Sequence, residues 1–309
     1  YGDFMTNIIW ADIKKIAARS QTALVANSEF NFNRQIFDIA TDIYNDDDDR
    51  LIFIAGPSAS GKTTSANLLA LRLEYFGIKV FRLSTDDYFI DRDKVPFLEN
   101  GLRDFDSLRS VNVEKLQEDV RAIMQGKPFE PLRYDFISGK SLKDEPVVAH
   151  KEDVVILEGI HALNPVITQL SGYDESRMKE ASIAPRRSFV MNSGAVLSPD
   201  ELRLTRRLIR DYYTRGYDFK TTLEQWQEVR AAETKFILPY MQDVDYEIDS
   251  TYDYELMVYK RCIYDAIKHS TLPQLQNIIK VLGEVDEMNI SSIPENSLLN
   301  EFAHFGKRN

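Results

Sequence analysis

The sequence predicts a three-layer α/β domain with a mainly parallel sheet. Three observations carry this. Short apolar runs suited to buried strands alternate with amphipathic helical stretches along most of the chain. Residues 51–64 read LIFIAGPSASGKTT, where a strand-like run meets Gly56-x-x-x-x-Gly61-Lys62-Thr63 and then an Ala- and Leu-rich helical stretch ending near Gly77. Two strand-like runs end in acids, at Asp86-Asp87 and at Glu158. Carboxylates just beyond strand C-termini lie where open α/β sheets bind ligands.

The glycine–lysine run is the P-loop pattern, so the expected fold is that of the P-loop NTPases, with a helical lid and added N- and C-terminal helices. Gly56 and Gly61 let the backbone around Ser58, Ala59 and Ser60 fold tightly, so its N–H groups converge on phosphate oxygens. The helix N-terminus at Thr64 adds partial positive charge. Lys62 reaches the outer phosphates, and the Thr63 hydroxyl is placed to ligate Mg2+. A chance Gly/Ser turn is the competing reading; strand, loop, Lys-Thr and helix in that order argue against it. The pattern implies a nucleoside triphosphate, ATP, with Mg2+.

Composition narrows the field. The chain has 309 residues, 43% hydrophobic and 28% charged, enough for one large domain or one domain with additions. Its net charge of −11 argues against a nucleic-acid partner, whose phosphate backbone needs a basic surface. The single cysteine, Cys262, excludes an intrachain disulfide and points to a reducing, cytoplasmic compartment. No apolar run has membrane-spanning length, and no signal peptide is visible. The chain begins at Tyr1, which suggests a preceding segment. Expected boundaries are an N-terminal helical segment at 1–48, a P-loop domain at 49–255 with a lid at about 198–216, and a helical extension at 256–309.

Residues 1–30 carry a weak helical pattern, and 31–44 a clearer one with Ile36, Ala40 and Ile43 on one face. The four-Asp run at 46–49 reads as a solvated loop, not a cation site. Residues 78–84 form the second strand; Asp86 or Asp87 beyond it can accept a proton from an attacking hydroxyl, or merely cap a turn. A helix is expected at 112–125, capped by Asn112, then an edge strand and turn at 131–140. The strand at 153–158 ends in Glu158, placed to hold Mg2+ directly or through water. His161 reads as a hydrogen-bonded loop histidine, and no His/Cys cluster has zinc spacing. Another short strand is expected at 188–192. Ser198-Pro199-Asp200-Glu201 starts a helix running to about Gly216. Arg203, Arg206, Arg207 and Arg210 share one of its faces, suited to closing over ATP phosphates; the bland reading is a solvated face. A helix at 219–232, a last strand at 246–250 and an amphipathic helix at 254–269 follow.

Read together, GPSASGKTT, LSTDDYF, DFDSL, RYDF, DVVILEGIHALN and RLTRRLIRDYYTRGYD resemble, in order, the motifs of the uridine kinase/phosphoribulokinase family. The resemblance covers about 49–254. RRLIRDYYTRGYDFKTTLEQWQEVRAAETKFILPY and IPENSLLNEF resemble signatures of its bacterial-type uridine-kinase-like branch. Members of that branch often carry an N-terminal domain similar to one in threonyl-tRNA synthetase, which this sequence lacks. The resemblance implies transfer of the ATP γ-phosphoryl group to a primary hydroxyl of a small-molecule nucleoside. It implies Asp86 as catalytic base, with Lys62 and Arg206 assisting transfer. Asp106, Tyr134, Arg203 and Gln225 are expected at the acceptor, Arg207 and Arg210 at ATP, and Thr63 and Glu158 at Mg2+. Animal members resemble YDFxSH where this chain has YDFISGK, so Gly139 replaces a pyrimidine-reading His. Family members often form dimers or tetramers, and the helices after Tyr254 suit either a homo-oligomer interface or a cover for the sheet.

Two other readings compete. One keeps the fold and changes the acceptor to a sugar phosphate or another small alcohol. The other is a nucleotide-binding regulator or GTPase-like switch; the sequence has no Asn-Lys-x-Asp stretch, and it keeps Asp86, Arg203 and Arg206.

Overall fold

The computed structural model describes residues 7–46, 50–98, 101, 103–148, 150, 153–169 and 177–303. Asp47, Asp48 and Asp49 of the acidic run, like Tyr1, lie outside the described residues. Five parallel strands form the central sheet: β1 Leu51–Ala55, β2 Val80–Ser84, β3 Val154–Glu158, β4 Met178–Ala184 and β5 Tyr246–Asp249. Their spatial order is β5–β4–β1–β3–β2. Ile52 of β1 stands opposite Ile156 of β3 on one side and Lys179 of β4 on the other. The strand order reverses at β1, so a crevice opens beyond its C-terminal end.

β1 and β3 are buried at every residue, as parallel strands covered on both faces must be. Their side chains alternate between two cores. Ile52, Ile54, Val154 and Ile156 enter one; Leu51, Phe53, Val155 and Leu157 enter the other. The first core is covered by α1 Trp10–Arg19, α2 Gln21–Asn45, α3 Lys62–Tyr75, then α5 Pro199–Arg210, α6 Phe219–Phe236, α7 Glu255–Ile267 and α8 Gln276–Glu284. The second is covered by α4 Val113–Met124, through Leu116, Val120 and Ile123.

Several elements depart from expectation. The N-terminal pattern is stronger than it reads: α2 runs unbroken for 25 residues, its start fixed by Ser20, whose hydroxyl accepts from the Ala23 N–H at 3.1 Å. β4 is a central strand that the sequence did not announce, because MKEASIA has no continuous apolar run. The strand expected at 188–192 is only Phe189–Val190, in a small sheet with Ile8–Ile9 and Val196–Leu197. The expected edge strand at 131–140 is a separate hairpin, Leu132–Asp135 with Lys140–Lys143. The three expected segments share one core, in which Trp10 and Phe32 join Ile54, Tyr259 and Phe302.

Candidate active site

β1 leads into residues 56–61 and then into α3, which places the P-loop at the reversal point of the sheet. Gly61 caps α3 at φ 95° and Ala59 sits at φ 59°, left-handed positions that turn the intervening N–H groups toward the crevice. Lys62 Nζ donates to the Pro57 carbonyl at 3.2 Å, so in this state the lysine folds over its own loop. The Thr63 hydroxyl donates to Glu158 Oε1 at 3.3 Å across the gap to β3. Burial pushes the Glu158 carboxyl up to about 7, against the pull of Lys62 and with the added push of Asp86.

Asp86 lies in the turn Thr85–Tyr88 that follows β2, its N–H donating to Ser84 Oγ at 3.3 Å. Its side chain opens onto the crevice, yet the walls crowd it and raise its pKa. The charges of Lys62, Arg215 and Arg210 pull the other way. Asp87 turns from them toward the backbone N–H of Tyr134; burial raises its pKa, and the Asp86 charge raises it further.

The arginine stripe of α5 splits into two groups, and the expected lid is not a lid over most of its length. Residues 202–209 are all buried. Arg203 and Arg206 do not face the crevice, a correction to their expected substrate and catalytic contacts. The reason is that each meets a buried carboxylate. Arg206 is 0% exposed and spends all five N–H groups on Glu255, the Ser250 hydroxyl and carbonyl, and the Ala59 carbonyl. Arg203 forks onto Glu233 at 2.8 and 2.9 Å and donates to the Ser58 carbonyl at 3.1 Å. Glu233 in turn accepts from the Ser58 N–H at 2.9 Å. Two buried ion pairs therefore grip the P-loop from behind.

The second group faces forward. Arg207 donates to the Ser58 hydroxyl at 2.9 Å and to Gln225 Oε1 at 3.4 Å. Arg207, Arg210 and Arg215 all reach one buried carboxylate, Asp211, at 3.3, 3.0 and 3.3 Å. Arg215 and Asp211 sit in a single π-helical turn, Asp211–Arg215, of a kind frequent at functional sites. Burial lowers the Arg207 and Arg215 pKa values, and like-charged neighbours lower them further. Three guanidiniums on one carboxylate leave a local excess of positive charge suited to an anion.

Asp106 lies near Arg207, whose charge opposes the rise that burial gives its pKa. Tyr134 packs edge-on against Phe89 and Phe136, with its buried hydroxyl unpaired among the described residues. His161 is 1% exposed; burial lowers its pKa to about 4, opposed by a backbone hydrogen bond at Asp106. Gly139 stands at φ 69°, and a Cβ there would fall 2.8 Å from Arg92 Nε. Lys140 is drawn off to Asp93 at 3.1 Å and Asp91 at 3.5 Å. Sequence reading missed Arg215, Asp211, Glu233 and Glu255; only RDYYTRGYD pointed toward the first two.

The donor set fits Mg2+. The Thr63 hydroxyl and the Glu158 carboxylate are hard oxygen donors on adjacent elements, 3.3 Å apart. No group of three or more His, Cys, Asp or Glu among the described residues could hold a metal. Mg2+ held by one or two side chains plus phosphates and waters needs no such group. No described helix is long and apolar enough to cross a membrane.

This fold and this site define a P-loop phosphotransferase. The profile of the Phosphoribulokinase / Uridine kinase family matches residues 51–256, and the chain belongs to that family, whose members transfer phosphoryl groups to alcohols. Similar curated proteins are uridine kinases. That of Staphylococcus epidermidis is 29% identical over 197 residues, 63% of this chain and 84% of its own. That of Ureaplasma parvum is 30% identical over 178 residues, 57% of this chain and 76% of its own. That of Macrococcus caseolyticus is 27% identical over 191 residues, 61% of this chain and 82% of its own.

Proposed function

We propose that this chain is an ATP-dependent nucleoside kinase that transfers the γ-phosphoryl group to the 5′-hydroxyl of uridine, with cytidine as a second acceptor. The observation that carries the reading is the P-loop at the reversal point of the sheet, with Arg207 donating to its Ser58 hydroxyl and Arg207, Arg210 and Arg215 gathered on Asp211 beside it. Asp86 orients the acceptor hydroxyl and takes its proton. Burial raises the Asp86 pKa, and a carboxylate with a raised pKa is a stronger base than an ordinary one. Lys62 leaves the Pro57 carbonyl for the outer phosphates. Arg207, Arg210 and Arg215, held by Asp211, stabilise charge on the group in flight, the role first expected of Arg206. Thr63 and Glu158 would hold Mg2+, which would supply positive charge to offset that of the phosphates. Asp106, Tyr134 and Gln225 line the acceptor side, and the unpaired Tyr134 hydroxyl is available to it.

The names of the similar proteins support uridine as the acceptor. Gly139 favours a second reading within the same chemistry. With Arg92 over that glycine, the hollow lined by Arg92, Asp93, Arg103, Ser138, Gly139 and Lys140 carries three cations against the one acid Asp93, which suits an acidic alcohol such as a sugar phosphate. ADP release from ATP and Mg2+ with a panel of nucleosides and sugar phosphates decides between them, run beside Asp86→Asn. Uridine-dependent release lost in the variant is expected. Release only with a phosphorylated acceptor would replace uridine, and release unchanged in Asp86→Asn would remove Asp86 as the base.

A further inference from the structure

Residues 293–302, IPENSLLNEF, take no part in the chemistry proposed above, yet they lie against the P-loop. Ser297 caps the turn Leu298–Glu301, its hydroxyl accepting from the Leu299 N–H at 3.3 Å. Leu298, Leu299 and Phe302 are fully buried. Leu298 fills the space beside Gly61, where a Cβ would fall 2.4 Å from Leu298 Cδ1. The Phe302 ring lies 4.9 Å from the Arg206 guanidinium. This anchoring aims one charged group at the loop. Glu301 Oε2 accepts from the Thr64 hydroxyl at 2.7 Å and from the Thr64 N–H at 3.3 Å.

Thr64 is the third residue of α3, and its N–H is one of the free donors that a helix N-terminus offers to an anion. In a P-loop those donors belong to the nucleotide phosphates. A carboxylate already uses one of them. Its charge is felt as far as Glu158, whose pKa it helps to raise. A phosphate chain entering here meets a like charge and finds a donor taken.

We propose that Glu301 is an internal competitor for the nucleotide phosphates, a latch that Mg2+-ATP must displace. The inference rests on the P-loop binding a nucleoside triphosphate and concerns what stands in its way. The apolar anchors Leu298, Leu299 and Phe302 stay seated while the Glu301 side chain swings out. The latch sets a threshold on nucleotide affinity and fills the helix N-terminus when no nucleotide is bound.

Calorimetric titration of the whole chain with Mg2+-ATP and with adenosine, for wild type and Glu301→Gln, tests this. The glutamine keeps size and an accepting oxygen but removes the charge. The Kd for Mg2+-ATP is expected to fall by about tenfold, while adenosine binding stays unchanged. The nucleotide-free Tm is expected to drop by about 2–4 °C, because a charge-assisted bond to the helix N-terminus is lost. Affinity and stability thus move in opposite directions, which a purely structural glutamate would not produce. Equal or weaker ATP binding in the variant overturns the latch, as does an equal gain for adenosine. Absence of ATP binding to both proteins overturns the nucleotide reading and the latch with it.

Discussion

Arg206 and Arg210 stand one helical turn apart and have opposite fates. The five N–H groups of Arg206 are consumed by Glu255, the Ser250 hydroxyl and backbone oxygens, in a fully buried ion pair. Removing one partner of such a pair leaves an uncompensated buried charge. Arg206→Met is therefore expected to cost about 3–5 kcal/mol of stability, read as a lower urea midpoint. A midpoint near wild type with lost turnover would return Arg206 to the reaction. Glu158 makes a prediction of a different kind. Its pKa is raised from 4.5 to about 7 in the folded chain. The folded state thus holds this proton more tightly than the unfolded state. The stability it contributes is full below the unfolded value and is lost as pH rises through the folded one. The loss is on the order of 3 kcal/mol without Mg2+. Urea midpoints at about pH 5 and about pH 8 should fall more for wild type than for Glu158→Gln. Added Mg2+-ATP should recover more stability at the higher pH, since binding a cation there expels the proton.

At the scale of the element, α5 and the turn after it form a helix with two jobs. Its start was legible: Ser198 and Glu201 make a capping box, the Ser198 hydroxyl accepting from the Glu201 N–H at 3.3 Å and Glu201 from the Ser198 N–H at 2.9 Å. The spacing of four arginines along one face was legible too. Which guanidinium turns inward was not, because the deciding carboxylates lie far along the chain, Glu233 on α6 and Glu255 on α7. The P-loop, Asp86 and Glu158 could be read because their chemistry is written within a few residues of each strand end. β4 could not, since its alternating polar residues hide a strand that β1 and β5 flank. Arg215 escaped for a third reason: a π-helical turn shifts it out of the stripe that regular helical spacing draws. The forward-facing arginines yield a test that the inward pair does not. Arg210→Ala and Arg215→Ala are each expected to lower kcat by about 10³-fold, with Tm and ATP affinity close to wild type. A fall confined to KM would make them binding residues only.

At the scale of the molecule, the expected partition at about 48 and 255 does not correspond to separate cores. Leu24, Val25, Phe32, Ile36, Ile39 and Ile43 of α2 are buried in the main core. Burial of each such side chain contributes about 1.5–3 kcal/mol, and net stabilities are only about 5–15 kcal/mol. A chain lacking residues 1–45 is therefore expected to be insoluble or without a cooperative melt by circular dichroism. A folded, cooperative product would restore the partition. The hydrogen bond between Thr64 and Glu301 joins residues 237 apart in sequence. Translation at roughly 5–20 residues per second separates their synthesis by about 10–50 s. The last strand of the sheet, Tyr246–Asp249, and the carboxylates Glu233 and Glu255 that hold the loop from behind are all made before Glu301. The rival for the loop's donors is thus the last of its neighbours to be synthesised.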